Sequence, residues 1–484
     1  MKASRTNSHA FFFAVVLMSV LVLSTIIGYF ILLPRAIPKQ IIVAVLPFDG
    51  PETLSPHLTQ EFPRHIRELV ALSRDLTFVD FDAARDAISL GEDFRGFTHE
   101  LGATHIVDGD FVEDNENADS YLLTIRVVDV TRPAWKLRWD NEYRYPDETL
   151  LSIRNHAVEQ ILDGLYDNSV GEIADEEIID GSFEDFLRAQ SLFHSGKSQA
   201  ARTVLNQAPQ IEFNAFALYS LSRIDPEREA HYLDSAINAN PRHYPSLIEQ
   251  AWNTYRSSGD LMQYSSTISN LAGEFPNSEA VLKLADLYHA LGWFEEEEQL
   301  LLRWAKMRPR SGLAALKIGF SRYRSQNIPG VDEALAIAGA RESDNSLVDF
   351  YTALYRLEVR DDAPDISKSA EFRVRQLALN GQIEEARGVF ATFQERLSCD
   401  ELVENALYLD DLDLAFDNLP CSDQFWTQPP GWWSKDDPRW QAFVSDLRYS
   451  DWLRSKGFDS TTLDQLTPTA IPQLFAPVRK LLPE

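Results

Sequence analysis

The spacing of apolar residues changes several times along the chain, and each change predicts a different kind of element. Residues 11–33 form an unbroken apolar stretch, FFFAVVLMSVLVLSTIIGYFILL, without a charged residue. As a helix rising about 1.5 Å per residue, it would be roughly 35 Å long, more than the hydrocarbon core of a bilayer, about 30 Å. The pattern therefore predicts a transmembrane helix over residues 11–33.

A cleaved signal peptide is the alternative for this stretch, because it also has a basic start and an apolar core. The apolar core of a signal peptide has about 7 to 15 residues and ends at a small-residue cleavage site. Here the apolar stretch is longer and is followed by Pro34, Arg35 and Pro38. These features favour an uncleaved anchor.

The orientation of the span follows from the positive charges beside it. Two Lys or Arg residues flank each end, and His9 and the amino terminus add to the first side. We therefore expect residues 1–10 to be a short cytoplasmic tail. The bulk of the chain would then lie in the periplasm, anchored in a bacterial inner membrane.

Strand-like and helix-like patterns alternate over residues 40–166, which predicts a small α/β domain. Residues 40–48, QIIVAVLPF, form a β-branched apolar run typical of a buried strand. The next apolar positions have helical spacing: Phe62, Ile66, Leu69, Val70 and Leu72. The further predicted elements are a strand at 77–81, a helix from Ala83, a short helix at 98–101, a strand at 105–111, a hairpin of 121–130 and 135–145, and a helix at 148–165.

Beyond an acidic stretch, residues 167–181, which we expect to be a linker, the pattern becomes purely helical over residues 182–420. Its spacing recurs near 34 residues, and such a period is typical of stacked helix pairs of the tetratricopeptide kind. Small residues would let the paired helices approach, glycines would permit the turns, and prolines would end the second helices. The signature positions are Ala189, Gly196, Ala201, Ala251, Tyr255, Gly259, Pro276, Ala285, Tyr288, Gly292, Pro309, Gly381, Ala386 and Ala415.

The number of helix pairs that this pattern predicts is five to seven. Residues 311–361 have helical spacing but no clear repeat phase. In the last unit Asp410 stands at the turn position where glycine is usual.

Residues 421–484 are rich in tryptophan and are interrupted by Pro429, Pro430 and Pro438. We expect this segment to cap the apolar face of the last repeat. An exposed aromatic patch that binds a ligand is the alternative.

Composition excludes one class of partner. The chain has 45 Lys and Arg against 74 Asp and Glu, a net charge of -29, which would repel the phosphate backbone of a nucleic acid. A hydrophobic fraction of 44% with 11% aromatic residues is typical of folded domains rather than disorder.

The chain contains two cysteines, Cys399 and Cys421. They could be buried thiols in a reducing compartment. In an oxidising periplasm they would form one disulfide that closes a loop of about 22 residues and stabilises the fold by roughly 3 kcal/mol.

Motifs that carry catalysis are absent from the sequence. It contains no phosphate-binding G-x-x-x-x-G-K-[ST], no H-E-x-x-H, no G-x-S-x-G, no C-x-x-C and no G-x-G-x-x-G. We therefore expect no enzymatic activity, no cofactor and no metal.

Acidic and histidine clusters were the remaining candidates for chemistry. Glutamates 295–298 would open a helix, where carboxylates complement the positive end of the helix dipole. A second acidic group could bind a hard cation, but it lacks the spacing of a calcium loop, which favours a solvated loop; it consists of Asp108, Asp110, Glu113, Asp114 and Glu116. His99 and His105 flank a predicted helix–strand junction and could titrate near neutral pH.

The α/β region resembles the TolB amino-terminal-like domain of bacterial multidomain signalling proteins. The residues that carry the resemblance are IVAVLPFDG at 42–50, ELGATHIVDGDF at 100–111 and YLLTIRVVDVTRPAWKLRWDNEY at 121–143. The end of the chain is similar to proteins that combine this domain with tetratricopeptide repeats, through Asp437, Pro438, Arg439, Trp440, Phe443, Gly457 and Phe458. The resemblance implies a fold and supplies no catalytic residues.

Residues 40–458 together resemble the sensory half of CadC-type and ToxR-type transmembrane regulators and the accessory region of some adenylate cyclases. In those proteins a winged-helix or cyclase domain precedes the span, whereas about ten residues precede it here. The resemblance therefore does not imply transcriptional or cyclase activity.

The fold class that we expect is α+β: one amino-terminal transmembrane helix, a TolB-like α/β domain, and an all-α tetratricopeptide-like solenoid. The expected function is a membrane-anchored periplasmic scaffold that binds a protein or peptide partner of the cell envelope through its helical repeats. The alternative is a periplasmic small-molecule or pH sensor that signals through the span to a separate cytoplasmic regulator.

Overall fold

The computed structural model describes residues 41–73, 76–89, 101–114, 120–131, 135–165, 180–308, 311–341, 346–360, 369–422 and 424–468. The predicted span at residues 11–33 lies outside this part of the chain, as do His99, Glu116, Pro309 and most of the predicted linker. Among the described residues, no helix combines the length and the apolar composition needed to cross a bilayer.

A five-stranded sheet with the order β2-β1-β3-β4-β5 forms the centre of the α/β unit. Strands β1 and β3 pair in parallel, as do β1 and β2, whereas β3, β4 and β5 form an antiparallel meander. The strands are β1 (Ile42–Val45), β2 (Thr77–Phe78), β3 (His105–Glu113), β4 (Tyr121–Asp129) and β5 (Lys136–Tyr145). Strand β1, which has a neighbouring strand on each side, is short and almost entirely buried, as its β-branched sequence predicts.

The described residues of this unit form three α-helices, which are α1 (Phe62–Val70), α2 (Phe81–Ser89) and α3 (Leu150–Leu165). A π-helical turn, His57–Glu61, leads directly into α1. The apolar positions of α1 at helical spacing, including Phe62 and Ile66, are fully buried, so burial of this face positions the helix.

A succession of helices follows the sheet, which confirms the predicted α+β class in outline. These helices are α4 (Asp180–His194), α5 (Ser198–Gln207), α6 (Ala215–Ile224), α7 (Glu229–Ala239), α8 (Tyr244–Ser258), α9 (Leu261–Glu274), α10 (Ala280–Leu291), α11 (Phe294–Met307), α12 (Gly312–Arg324), α13 (Ile328–Arg341), α14 (Ser346–Val359), α15 (Ala370–Leu379), α16 (Ile383–Phe390), α17 (Cys399–Tyr408) and α18 (Leu412–Asn418). Consecutive helices pack in pairs from α4–α5 to α12–α13, and again as α15–α16 and α17–α18. Within the described residues α14 stands between pairs.

Most turns inside the described helix pairs contain a left-handed residue, although the α6–α7 turn at Pro226–Arg228 does not. Gly259 and Gly292 have φ values of 69° and 77°, and the corresponding position of the last pair, Asp410, has a φ of 55° although it is not glycine. Aspartate is one of the few side chains that tolerate this conformation. At Gly259 a Cβ would also lie 2.0 Å from the carbonyl oxygen of Ser455, so glycine is required there twice over.

The signature residues lie where close helix packing needs small or aromatic side chains. Ala251 is half-buried, and the fully buried ones are Ala189, Ala201, Tyr255, Ala285, Tyr288, Ala386 and Ala415. Gly196 and Gly381 have positive φ in their turns, and the carbonyl of Pro276 accepts a hydrogen bond from Arg303 Nε at 3.0 Å. The buried signature residues therefore belong to the apolar interior of the helix array, in which Ala285 and Ala386 lie in different clusters.

Three short helices end the described chain: α19 (Pro438–Ser445), α20 (Leu447–Ser455) and α21 (Ser460–Leu463). The ring of Phe443 in α19 stacks on Phe416 in α18 at 4.9 Å, so α19 covers the last helix pair. A disulfide bond joins Cys399 and Cys421, whose Cα atoms are 5.8 Å apart. It fastens the chain beside the last pair just before the tryptophan-rich segment begins.

Candidate functional site

Part of the tryptophan-rich segment lies against the carboxyl-terminal ends of several helices instead of only capping the end of the array. We call residues 424–433 the arm. Phe425 packs on Trp252 and Tyr255 of α8, each at 5.5 Å. Further along, Thr427 Oγ1 donates to the carbonyl of Ala290 at the end of α10, at 2.7 Å. The arm therefore passes along the turns of successive helix pairs.

Arg324, at the end of α12, fixes the middle of the arm. Its guanidinium donates to the carbonyl oxygens of Pro429, Gly431 and Trp433 at 2.5, 2.8 and 2.5 Å. Proline has no N–H and the arm forms no strand here, so these carbonyls depend on side-chain donors. Burial lowers the pKa of Arg324 to about 10, which leaves the group charged at physiological pH.

Trp432 is the most deeply buried tryptophan of the arm, with 1% of its surface exposed. It packs on Phe320 of α12 at 4.4 Å and on Tyr355 of α14 at 5.0 Å. Its indole N–H donates to the carbonyl of Tyr351 at 2.7 Å. The aromatic residues of this segment are thus buried, and the alternative of an exposed ligand-binding patch is wrong.

A buried ionic cluster lies beside the arm. Arg375 pairs with Glu404 at 2.8 Å and lies over the rings of Phe350 and Tyr408 at 4.5 and 5.0 Å. Tyr408 donates to Glu358. Burial raises the pKa of Glu358 to about 7, against the opposing effects of the Tyr408 hydrogen bond and the Arg375 charge. This carboxyl group therefore changes its protonation near neutral pH.

The α/β unit docks on the opposite edge of the helix array, on the loops between pairs. The side-chain amide of Asn277, between α9 and α10, lies 3.2, 3.0 and 2.8 Å from the carbonyl oxygens of Ala71, Ser73 and Leu76. The backbone N–H of Asp80 donates to the carbonyl of Met307. These contacts hold the two parts of the described chain together.

An open cavity of about 250 Å³ lies where α1 meets the first helix pairs. We call it the junction cleft. Its walls come from α1 and the turn before it, from α4, from α6 and from the start of α8, and are Glu61, Arg64, Glu68, Phe186, Leu187, Gln190, Phe193, His194, Phe216, Tyr219, Ser220, Arg223 and Pro245.

Carboxylates neutralise both arginines of the junction cleft. Arg64 donates to both oxygens of Asp82, at 2.9 and 2.7 Å, and its Nε lies 3.2 Å from Glu61 Oε2. Although burial favours the neutral acid, the hydrogen bonds and charge of Arg64 lower the pKa of Asp82. Arg223 pairs with Glu249 at 3.2 Å. Both arginine side chains are therefore paired with carboxylates.

The glutamates of the cleft face its interior from α1 and the turn before it. Glu61 is buried, and its Oε1 lies 3.0 Å from His194 Nδ1. Glu68 keeps about a third of its side chain exposed and lies 3.5 Å from His65 Nδ1. Glu61 is already paired with Arg64 and His194, so Glu68, beside the aromatic walls, is the carboxylate that suits a group with an apolar stem and a positive head.

Two histidines and a phenylalanine pack edge to face between the α/β unit and the helix array. The ring of Phe216 lies 4.5 Å from His65 and 4.6 Å from His243, edge to face in both pairs. His243 Nδ1 lies 2.9 Å from Ser246 Oγ. Burial, aided by the charge of His65, lowers the pKa of His243 to about 3. Nearby, burial and the charge of Arg188 lower the pKa of His57 to about 4.

The acidic group at the β3–β4 hairpin is paired with arginines. Arg126 reaches Asp108 and Asp110 at 2.8 and 2.7 Å, and Arg144 lies 3.3 Å from Asp114. Burial raises the pKa of Asp108, against the effect of Arg126. In the described part of the chain no group of three or more His, Cys, Asp or Glu side chains could hold a metal ion.

The other acidic and histidine residues singled out from the sequence form side-chain contacts within the fold. Glutamates 295–297 lie in the first turn of α11, and Glu298 pairs with Arg322 at 2.9 Å. Glu297 is buried and lies 3.0 Å from His289 Nδ1. His105 is buried at the start of β3 beside Thr104 Oγ1, at 3.0 Å.

Sequence reasoning missed the residues that hold the arm and those that line the junction cleft. Arg324 lies in a region whose repeat phase was not assigned, and Glu61, His194 and Phe216 come from three separate elements. The one local signal was the QPPGWW sequence of the arm, because two prolines and a glycine prevent a helix and the tryptophans require burial.

Comparison with known proteins adds no identification: no protein-family model matches the chain, and no curated protein sequence matches it.

Proposed function

We propose that this chain is a membrane-anchored periplasmic interaction protein, built from a TolB-like α/β domain and a tetratricopeptide-like array, that binds a peptide or protein partner of the cell envelope at the junction cleft. The apolar stretch at residues 11–33 would be its anchor. The observation that carries the proposal is the junction cleft itself, an open cavity lined by both the α/β unit and the first helix pairs.

The arm supports this location. The arm already occupies the turns within several helix pairs, with Trp432 buried and three of its carbonyls held by Arg324. Displacing the arm would expose several tryptophans, at about 1.5–3 kcal/mol for each large apolar side chain. Binding at the open cleft avoids this free-energy cost.

The chemistry of the cleft favours a basic side chain on the partner. Its arginines are paired with Asp82 and Glu249, while Glu68 is exposed at the rim beside aromatic rings. The net charge of -29 adds a long-range attraction for positive segments. A lysine or arginine would place its stem on the rings and its charge at the carboxylates.

Titration of the detergent-solubilised full chain with labelled peptides tests this proposal. A short apolar peptide with one central arginine should bind, and the same peptide with a central glutamate should not. Phe193→Ala in the cleft should weaken binding about fivefold, because a ring contact with a cation contributes about 1 kcal/mol.

Phe213→Ala is the matched control, since Phe213 is also an exposed phenylalanine, at 44% against 37% for Phe193, but does not line the cleft. Equal affinity for the two peptides, or equal loss in the two variants, would contradict the proposal.

A second candidate function is a sensor of pH or of a small molecule that signals through the span. The buried cluster of Arg375, Tyr408 and Glu358 favours it, because burial raises the pKa of Glu358 to about 7, so the charge of this carboxyl group changes near neutral pH. This function predicts that pH or a metabolite changes the thermal stability of the full chain. A flat response across both screens would argue against it.

A further inference from the structure

One end of the sheet gathers the start of β1 and the turn of the β4–β5 hairpin. Val43 of β1 pairs with His105 at the start of β3, His105 pairs with Asp129 at the end of β4, and Asp129 pairs with Lys136 at the start of β5. The backbone N–H of Ile42 donates to Thr104 Oγ1 at 2.8 Å. The end of β4, the start of β5 and the start of β1 therefore lie at the same end of the sheet.

The side chains at this end of the hairpin are basic and apolar. We call Trp135, Lys136, Leu137 and Arg138 the hairpin tip. Trp135 and Leu137 are 38% and 50% exposed, which is unusual for large apolar side chains, and Lys136 and Arg138 are exposed as well. A register shift between Val127 and Val128 adds one residue to β5 here and keeps Leu137 opposite Val128, on the outer face.

The composition of the tip contrasts with the rest of the molecule. The whole chain carries a net charge of -29, yet these four consecutive residues hold two positive charges and no negative one. Asp129 holds Arg138 at 3.0 Å, so Lys136 is the freer of the two charges. Tryptophan beside basic residues is the combination enriched at membrane interfaces.

The predicted anchor and this end of the sheet are close in the sequence. Residues 34–41 connect the apolar stretch to β1, so only eight residues separate them.

We infer that the hairpin tip binds an anionic lipid surface, with Trp135 and Leu137 at the headgroup boundary and Lys136 and Arg138 against the lipid phosphates. The inference rests on the membrane anchor of the proposed function.

A fluorescent label on the full chain in lipid vesicles tests the inference. Leu137→Cys provides the site, and Cys399 and Cys421 do not react because they are bonded to each other. Val112→Cys is the matched control, since Val112 is 51% exposed and lies at the other end of β3. The vesicles consist of phosphatidylcholine with about one third phosphatidylglycerol, an anionic surface of the kind that attracts basic side chains.

The label at residue 137 should emit at shorter wavelength and be quenched by a nitroxide-bearing lipid, whereas the label at residue 112 should do neither. Lys136→Gln should shift the ratio of contacting to released tip about fivefold toward release, the equivalent of about 1 kcal/mol for one basic residue at an anionic surface. Omission of phosphatidylglycerol from the vesicles should also shift the tip toward release.

Washing the same vesicles at alkaline pH separates this inference from the proposed anchor. If the protein stays in the membrane and the labels at residues 137 and 112 behave alike, the inference is wrong and the anchor stands. If the protein is washed off, the anchor and the inference both fail.

Discussion

Arg324 shows how one buried side chain can define the path of a segment that has no regular structure. Its planar guanidinium has several donors in a fixed geometry, which suits three carbonyls of a bent chain. The arm contributes the carbonyls of Pro429, Gly431 and Trp433. Lysine has the same charge but cannot reach three separate acceptors with this geometry.

Arg324→Lys should therefore lower the free energy of unfolding by roughly 3 kcal/mol, because buried carbonyls would lose their donors. Urea denaturation followed by tryptophan fluorescence measures the change, and limited proteolysis within the arm should become faster. Arg356→Lys on the exposed side of α14 is the control and should change stability by less than about 0.5 kcal/mol. Equal effects of the two substitutions would mean that Arg324 does not hold the arm.

His243 makes stability depend on pH in one direction. Its pKa is about 3 in the folded chain, against an ordinary value of 6.5, because burial disfavours the charged form. Between these pH values the unfolded chain binds more protons, so the free energy of unfolding falls as the pH falls. Above the ordinary value, the full contribution of the neutral ring is present.

His243→Gln should flatten this dependence by up to about 1.4 kcal/mol per pH unit between pH 6 and 4. The comparison is between variant and parent at each pH, because Glu358, with a raised pKa, has the opposite dependence and is present in both. Denaturation curves at several pH values measure it. Parallel curves for the two proteins would mean that His243 titrates normally in the folded chain.

At the scale of the element, most of the described helix pairs have one left-handed residue in the turn, whereas the α6–α7 pair does not. Where that residue is glycine the backbone adopts the conformation without steric cost, and where it is Asp410 the Cβ is strained by about 1–2 kcal/mol. The same geometry in turns of different sequence indicates that helix packing, rather than the turn residue, determines the conformation.

Asp410→Gly should thus raise the free energy of unfolding by about 1 kcal/mol, less the loss of chain entropy that glycine brings. Gly381→Ala is the converse: φ is 77° there and a Cβ would meet no atom within 4 Å, so backbone strain alone should destabilise it by about 1 kcal/mol. Thermal midpoints of the two variants should move in opposite directions. A shift of both in the same direction would refute the account of the turns.

Elements were predictable from the sequence because their patterns are local. The predicted hairpin at 121–130 and 135–145 corresponds to β4 and β5, and the predicted helix at 148–165 to α3. The path of the arm was not predictable: Trp432 bonds to a residue 81 positions away and Arg324 to one 107 positions away. No local pattern carries such a contact.

At the scale of the molecule, the helix array is held on two edges. The arm lies along the turns within pairs, and the α/β unit lies along the loops between pairs, through Asn277 and Asp80. The junction cleft results from this second contact, since Glu61 and His194 meet across 133 residues of sequence. The sequence alone could therefore predict a repeat array but not the place of its open cleft.

The most direct test of the proposed function is photo-crosslinking in living cells from the rim of the junction cleft. A photoreactive phenylalanine analogue at residue 193 should give a discrete adduct with an envelope protein, and Glu68→Lys in the same chain should abolish it, because a positive charge would repel a basic side chain. The analogue at residue 213, an equally exposed phenylalanine outside the cleft, should give no such adduct. The same adduct from both positions, or none from residue 193, would contradict binding at the cleft.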